Sequence, residues 1–564
     1  MTGRTTPMTD PSMPAVTSRI GEGEWKALTW AVIASLLVVA FPYVHGFLSA
    51  RDGWQFSGFV GLYPNDYHSY LAWMRQAQDG RILFQDLYTT EPHGRVFFHP
   101  LFWLMGTASR LTGLPPLAVW YLVQGLSIVG MMVSLYLLIA RITDDRAVRW
   151  VGLGLVMTAG GFGFLTDPGA PSTRKAIDLW MPETNAFEAI CTSTFTLPFS
   201  LALMLIAFVF VLRHYEGGQL RDAALAGLAA LVLSTTHQYD MVVLFLVIGV
   251  HALLDLRRRW KGAAIVTAVS LPGCLYSVAV VGLDPVFSAH LEAVMRSPSV
   301  WAHAIGWGLP LVFALFALAS PALRRGQRDT AFLATWMIVQ LAILGVPLNF
   351  QRKLTWGVHV PICLLAALAI VNGLRAWAAK RRSKQPERAL LAASAAILIA
   401  CSAGNAVFYA DLFRVNRAHY MIDYIPLEYV EAFRWLDANG DRNGVVLAPG
   451  DLSQFIPGST GCTAFIGHWA QTLDESRKTR FVARLFGSGA TDIGDREIRI
   501  LRRNRVRYIV LDDFSRVSMN IPRDRSAFSF SRRASVVFQN RLVTIWRLGR
   551  DMDPLPWGDG RWDD

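Results

Sequence analysis

Side chains able to take or donate a proton are concentrated early in the chain. Asp66 stands in "GLYPNDYHSYLAWMRQAQDG", residues 61–80, directly before Tyr67 and His68. A carboxylate there could act as a general base for an attacking hydroxyl. It could equally cap a helix through a backbone hydrogen bond, bind a metal or be a solvated loop residue. These four interpretations stay open on the residues alone.

The following stretch, "FQDLYTTEPHGRVFFHP", adds more acids and imidazoles. It contains Asp86, Glu91, His93 and His99, a high density for a connector. The two histidines lack the HxxxH-type spacing of a metal-binding helix. The sequence therefore assigns no metal ligands, although a divalent metal remains one interpretation.

A basic pair lies far along the chain in "NFQRK", where Arg352 and Lys353 are adjacent. Arginine can bind a phosphate through two parallel N–H bonds, and lysine adds a point charge. The pair is predicted to bind a phosphate, and the alternative is that both side chains extend to lipid head groups.

Two further polar clusters are candidate parts of the same site. "THQYD" contains His237 and Asp240, which either line a cavity or form a polar turn between two helices. "GHWAQTLDESRK" contains His468 and Trp469, which either bind an acceptor sugar or pack one part of the protein onto another. Because no GxGxxG, Walker or GxSxG motif accompanies them, no separate catalytic centre is predicted there.

The elements that must position these side chains are membrane helices. Hydrophobic residues make up 53% of the 564 residues and charged residues 17%, which excludes an ordinary soluble protein. Apolar runs of about 20 residues can cross a bilayer, and the fold class predicted is a polytopic α-helical membrane protein. About eleven spans are expected, near residues 27–48, 118–140, 150–165, 193–212, 222–236, 240–255, 262–282, 302–322, 330–348, 354–374 and 389–409.

The distribution of Lys and Arg predicts the orientation of these spans, because basic residues stay on the cytoplasmic side of short loops. With a cytoplasmic N-terminus, the inner loops carry 18 Lys and Arg in 43 residues and the outer loops carry 9 in 100. This asymmetry accounts for most of the net charge of +12. No nucleic-acid partner is therefore predicted, and the partner expected is the lipid bilayer.

The same pattern divides the chain into three parts. Residues 1–24 are predicted to be a disordered cytoplasmic segment, and residues 25–410 a transmembrane domain whose first extracytoplasmic loop is 49–98. From residue 411 strand-length apolar runs alternate with helical patterns, so 411–564 is predicted to be an extracytoplasmic α/β domain. The five scattered cysteines indicate no disulfide framework.

Several short segments carry a resemblance to a known family. They include "NDYHSYLAWMRQAQDGRILFQDLYTTEP", "HPLFWLMG", "GGFGFL", "PETNAFEAI", "NFQRKLTWGVHVPI" and "GHWAQTLDESRK". Together they resemble the GT-C superfamily of membrane glycosyltransferases, and more closely a poorly characterised bacterial group within it. The resemblance implies an enzyme of the bacterial inner membrane. It would transfer a sugar from a polyprenyl-phosphate donor to a glycan, lipid or protein outside the cytoplasm.

The resemblance also implies roles for particular residues. Asp66 would be the catalytic base. Transfer from a polyprenyl phosphate would also need cations for the leaving phosphate, and Arg352 and Lys353 are the candidates for that role. The other residues expected to bind or orient substrate are Tyr67, His68, Glu91, His99, His237 and His468. Better-known members often have two adjacent acids where this chain has Asn65 before Asp66, so a mechanism with two carboxylates or a bridging metal is not implied.

Two other classes of function remain as alternatives. A transporter or lipid flippase would be expected to have charged residues in mid-span and internal repeats, and the spans contain little of either. A non-catalytic envelope assembly protein would use its external domain to bind a partner. Release of polyprenyl phosphate from a lipid-linked sugar would distinguish the enzyme from both.

Overall fold

The structure is a computed structural model, and it describes residues 20–61, 64–166, 184–289, 294–321, 329–418, 423–487, 494–518 and 533–549. Most of the segment predicted to be disordered, residues 1–19, lies outside this part of the chain. So do residues 550–564 of the predicted external domain. The described residues form a large helical region followed by a smaller region that contains both strands and helices.

The helices range from membrane-span length to a little over one turn. In the helical region they are α1 Glu22–Leu48, α2 Pro64–Gln78, α3 Pro100–Thr112, α4 Pro116–Ile142, α5 Arg146–Thr158, α6 Ala186–Cys191, α7 Thr196–Gly217, α8 Leu220–Thr236, α9 Tyr239–Leu253, α10 Leu256–Leu283, α11 Pro285–Ala289, α12 Val300–Ala319, α13 Thr330–Ile343, α14 His359–Lys380, α15 Pro386–Cys401 and α16 Ala403–Ala418. In the C-terminal region they are α17 Leu427–Asn439, α18 Leu452–Thr460, α19 Glu475–Gly487, α20 Asp495–Arg503 and α21 Asp513–Ser518.

The predicted spans coincide with helices, but not all of these helices are long enough to cross a bilayer. Within the described residues six helices have the length and composition of a span, and the bent pair α15–α16 makes a seventh if it is counted as one span. The remaining predicted spans correspond to α5, α8, α9 and α13, which have 13 to 17 residues. The protein is therefore a multi-pass membrane protein, and the number eleven stays a prediction.

The C-terminal region is built on a five-stranded sheet of order β4-β3-β5-β7-β6. Its strands are β3 Val445–Leu447, β4 Thr463–Ala464, β5 Val506–Asp512, β6 Ala534–Gln539 and β7 Val543–Leu548. The first three strands are parallel, and β7 is antiparallel to both β5 and β6. Apolar residues of α17 and α18 pack on one face, and those of α19 and α20 pack on the other. The region is thus a three-layer α/β/α arrangement.

This α/β region is joined to the helical region by a short two-stranded sheet. Strand β1, Trp54–Phe56, precedes α2, and it pairs antiparallel with β2, Tyr424–Pro426, which precedes α17. Helix α16 runs to Ala418, so the predicted domain boundary at residue 411 falls within a helix. The first strand of the α/β region thereby pairs with a strand of the loop that follows α1.

Helix α2 is held between two close helix contacts. A Cβ atom at Gly106 of α3 would lie 2.3 Å from the Met74 carbonyl oxygen, and one at Gly458 of α18 would lie 2.9 Å from the Leu71 Cβ. Real Cβ atoms do not approach so closely, so both positions require glycine. Helix α2, which carries Asp66 in its first turn, is therefore packed tightly against both regions of the protein.

Candidate active site

A cavity of about 500 Å³ lies where the first loop, the membrane helices and the α/β region meet. Its walls come from α2, the start of α3, the start of α7, the α8–α9 junction, the end of α10, Met295, residues 352–353 and residues 468–471. Six of the residues predicted from sequence line it, namely Asp66, His99, His237, Arg352, Lys353 and His468. Residues far apart in the sequence are thus brought to one concave site.

Asp66 is the one carboxylate among the described residues that line this cavity. Helix α2 begins at Pro64, so Asn65 and Asp66 both lie inside its first turn. The N-cap interpretation of Asp66 is therefore wrong. A negative charge in the first turn is nevertheless favoured by the helix dipole. The half-buried carboxylate contacts the imidazole of His468, with 3.4 Å between Oδ1 and Nε2.

The protonation state of Asp66 is set by opposing effects. Burial alone raises the pKa of this carboxyl, but the hydrogen bond from His468 and the positive charges of Lys353 and Arg352 outweigh it. The pKa therefore lies below its ordinary value. Asp66 is ionised at neutral pH, which is the form that a general base requires.

The basic pair lies in a single 3-10 turn, Gln351–Thr355, which is called the basic turn below. Buried Gln340 of α13 fixes the end of this turn, because its amide donates to the carbonyl oxygens of Leu354 and Trp356 at 2.8 and 2.6 Å. The backbone N–H of Arg352 donates to the carbonyl of Met295 at 3.0 Å. The turn thus presents two cationic side chains from a well-anchored backbone.

Two histidines also line the cavity. His237 follows α8, and its Nδ1 lies 2.9 Å from Oδ1 of buried Asp240. His99 precedes α3 and accepts the N–H of Phe102 with Nδ1, while Nε2 lies 3.1 Å from the Thr236 carbonyl. Burial lowers the pKa of His99 to about 3. His99 therefore joins α3 to α8 as an uncharged ring, as well as lining the cavity.

Three of the predicted substrate-binding residues do not line the cavity. Tyr67 is buried against Phe59, and its hydroxyl donates to the Val60 carbonyl at 3.3 Å. His68 is buried against Phe455 of α18, with 4.3 Å between ring centroids, and burial lowers its pKa to about 3. In this geometry both side chains support α2 and do not face the site.

Glu91 is also outside the cavity, at the contact between the first loop and the α/β region. Its carboxylate accepts a hydrogen bond from Lys478 of α19 at 2.8 Å, and both side chains are buried. The other loop acid, Asp86, is fully buried and accepts the backbone N–H of Tyr88 at 2.7 Å. Neither acid is placed to act on a molecule in the cavity.

Some lining residues have no sequence pattern that would have identified them. Tyr276 of α10 donates to the Val96 carbonyl at 2.9 Å and so joins a membrane helix to the first loop. Gln238 and Gln471 lie in loops and line the cavity. Single polar residues next to apolar runs are common, so only the folded arrangement distinguishes these three.

A metal centre is not evident in the part of the chain that the structure describes. Within those residues, no group of three or more His, Cys, Asp or Glu side chains is arranged to hold an ion. The cavity itself combines one carboxylate, three histidines and two cations. Such a set can accept a proton from a hydroxyl and neutralise a phosphate.

The fold matches solved structures of membrane glycosyltransferases. ArnT from Cupriavidus metallidurans bound to undecaprenyl phosphate is 14% identical with a TM-score of 0.51, and the match covers 94% of this chain and 100% of ArnT. The mycobacterial arabinofuranosyltransferase AftD, in an R1389S mutant form, is 15% identical with a TM-score of 0.52, and the match covers 93% of this chain and 41% of AftD. No protein-family model matches the sequence, and no curated protein sequence matches it.

These structural matches confirm the predicted resemblance at the level of the fold. The chain is a multi-pass membrane protein whose fold is similar to the folds of ArnT and AftD. At 14–15% identity the likeness extends to the fold alone. The chemistry of the site has to be argued from its residues.

Proposed function

We propose that the protein is a glycosyltransferase that takes a sugar from a polyprenyl-phosphate donor. The observation that carries this proposal is one cavity in which the Asp66 carboxylate and the Arg352–Lys353 pair both take part in the lining. A carboxylate and a cationic pair are the two groups that transfer from a sugar phosphate requires. The structurally similar ArnT, solved with undecaprenyl phosphate, supports this donor class.

In the proposed reaction Asp66 takes the proton of the acceptor hydroxyl as its oxygen attacks the anomeric carbon. The bond from the sugar to the phosphate oxygen breaks, and the polyprenyl phosphate leaves with its electron pair. Arg352 and Lys353 stabilise the negative charge of this leaving phosphate. Because one carboxylate lines the described cavity, we propose a single displacement with inversion at the anomeric carbon.

The donor lipid would reach the cavity along α10. Val280 and Val281 near the end of this helix line the cavity, and Phe287 follows them in α11. Other apolar side chains of α10 are exposed on the protein surface, including Leu275 and Val278. A polyprenyl chain in the bilayer could therefore lie against α10 while its phosphate reaches the basic turn.

The acceptor would enter from the side of the α/β region. Trp469 lines the cavity and is 53% exposed, so its ring offers a face on which a sugar can stack. The acceptor class stays open between an envelope glycan, a lipid and a protein. We propose that this side faces away from the cytoplasm of a bacterial cell and that the protein lies in the inner membrane, as the Lys and Arg asymmetry predicts.

The proposal is tested with purified protein reconstituted in lipid and a panel of polyprenyl-phosphate sugars. The expected result is release of polyprenyl phosphate from at least one donor. The assay is run with and without a chelator, which shows whether a divalent metal is needed. Parallel assays would follow movement of the donor between leaflets. Movement without release of polyprenyl phosphate would contradict the proposal and favour the flippase alternative.

A further inference from the structure

The α/β region contributes an ordered loop to the cavity, residues 467–472, called the His468 loop below. The hydroxyl of Thr472 donates to the Tyr88 carbonyl at 2.9 Å and accepts the N–H groups of Gly467 and His468, both at 3.2 Å. The loop is thus fixed to the first extracytoplasmic loop at its base. Its histidine is 4% exposed.

The hydrogen bonds of His468 determine which of its nitrogens carries the proton. Nδ1 accepts the backbone N–H groups of Ala470 and Gln471 at 3.1 and 3.2 Å. A nitrogen that accepts hydrogen bonds has no proton of its own, so in the neutral ring the proton is on Nε2. Nε2 is the atom that lies 3.4 Å from Oδ1 of Asp66. The ring is therefore set to donate to the carboxylate.

We infer that His468 is a positioning residue for Asp66, which it orients through the Nε2–H···Oδ1 hydrogen bond, and not a substrate-binding residue. The inference rests on the proposed function, since it gives the α/β region a part in the same reaction. One oxygen of Asp66 is held by His468, and the other is left to accept the proton of the acceptor. The active site is then complete only when the α/β region is docked on the first loop.

The pH response of Asp66 separates this role from simple packing. The groups that act on its carboxyl are His468 from the loop and Lys353 and Arg352 from the basic turn, while His99 and His237 line the same cavity. Burial raises the pKa of Asp66 and the His468 hydrogen bond lowers it. Without that bond the carboxyl should hold its proton to a higher pH, and the base should be lost at a higher pH.

Two substitutions of His468 separate the hydrogen bonds made by its Nδ1 from the hydrogen bond made by its Nε2. His468→Asn places an amide oxygen near Nδ1, so it can still accept the backbone N–H groups but cannot reach Asp66. His468→Gln places an amide N–H near Nε2, so it can still donate to Asp66. We expect His468→Asn to lower turnover by about 10-fold or more, as for a lost hydrogen bond to a charged group, with little change in KM. The Gln variant should recover part of this loss.

The acidic limb of the kcat/KM profile should move to higher pH in His468→Asn and less so in His468→Gln. If His468 bound the substrate instead, KM would rise and the limb would stay in place. An unchanged limb in both variants, or a change in KM alone, would overturn the inference.

A second readout does not depend on activity. A water-soluble carbodiimide with an amine label modifies protonated carboxyls, and mass spectrometry of the Asp66 peptide against pH reports the titration of this group. Exposed Asp79 just after α2 is the internal control. We expect the Asp66 midpoint to be higher in His468→Asn than in the unsubstituted protein, and the labelling of Asp79 to be unchanged by the substitution.

Equal midpoints for Asp66 would overturn the inference about His468 even if transfer is observed. Absence of transfer from every donor, with a raised midpoint in His468→Asn, would instead overturn the proposed function and leave the hydrogen bond established.

Discussion

At the scale of single residues, the position of Asp66 depends on contacts that are distant in the sequence. An acid in the first loop can be found by inspection. Its partner His468 is 402 positions away, and the charges of Arg352 and Lys353 come from a third segment. The hydrogen bond from His468 and the two positive charges keep the carboxylate ionised in a half-buried site.

Arg352 is predicted to bind the leaving phosphate. Arg352→Ala should weaken donor binding by about 1.5–3 kcal/mol, the range for a hydrogen bond to a charged partner. Arg352→Lys should recover part of the affinity, because lysine keeps the charge but loses the two parallel N–H bonds. Binding of a labelled polyprenyl-phosphate sugar to protein in nanodiscs measures this effect. Arg296 is exposed and does not line the cavity, so Arg296→Ala is the control, and equal affinities in all variants would contradict the assignment.

Asp423, next to β2, is predicted to make stability depend on pH. Burial raises the pKa of its carboxyl from 3.8 to about 7, so between these values the folded protein binds a proton that the unfolded chain has lost. The free energy of unfolding therefore falls as pH rises through this window and is level above it. Asp423→Asn removes the charge, and it should stabilise the protein at pH 8 by up to about 4 kcal/mol.

Thermal unfolding in detergent at two pH values tests this prediction. The difference in the free energy of unfolding between Asp423→Asn and the unsubstituted protein should be large at pH 8. It should vanish below pH 4, where the carboxyl is protonated in both the folded and the unfolded chain. A constant difference at both pH values would show that the substitution acts through packing and not through the charge.

At the scale of elements, the first loop and the α/β region are joined by buried polar contacts. Lys478 is fully buried and pairs with Glu91, and the Thr90 hydroxyl donates to Asn504 at 2.7 Å. Nearby, the backbone N–H of Ala464 in β4 donates to the Leu87 carbonyl at 2.8 Å. Residues 87–91 therefore form the seam on which the α/β region docks.

Breaking the buried ion pair in this seam should be costly. Lys478→Met leaves the Glu91 carboxylate buried without its cation and should destabilise the protein by about 3–5 kcal/mol. The double variant Glu91→Gln with Lys478→Met should be more stable than the single one, because no buried charge remains. Thermal unfolding and protease sensitivity of the α/β region measure both. Exposed Arg480 on the same helix is the control, and Arg480→Met should change stability by less than about 0.5 kcal/mol.

Many of the helices could be predicted from the sequence, because an apolar run of about 20 residues has the length of a helix that crosses a bilayer. The α/β character of the C-terminal residues was also visible in strand-length runs that alternate with amphipathic segments. The short helices α5, α8, α9 and α13 were harder to interpret, because a run of 13–17 apolar residues fits either a buried helix or a span.

Within the site, the sequence identified the charged groups but not their grouping. Asp66, Arg352 and His468 stood out as polar residues beside apolar runs, and the structure brings all three to one cavity. Glu91 stood out for the same reason, yet it pairs with Lys478 in the seam. Residue type and spacing cannot separate these cases, because the deciding contacts join segments hundreds of residues apart.

At the scale of the whole molecule, the cavity lies on the side where the α/β region packs on the helices. The Lys and Arg asymmetry predicts that this side is outside the cytoplasm. A reporter that fluoresces only in the cytoplasm, fused after Asp564, should therefore stay dark, while the same reporter fused before α1 should be bright. A bright C-terminal fusion would mean that the number of spans is even.

The central claim is that Asp66 is the general base of a transfer from a polyprenyl-phosphate sugar. The most direct measurement is single-turnover release of polyprenyl phosphate by Asp66→Asn under saturating donor. Asn cannot take a proton, so release should slow by about 100-fold or more, while donor affinity and thermal stability stay close to those of the unsubstituted protein. Asp79→Asn, at the other end of α2, should react at the normal rate. Near-normal release by Asp66→Asn with intact folding would contradict the account.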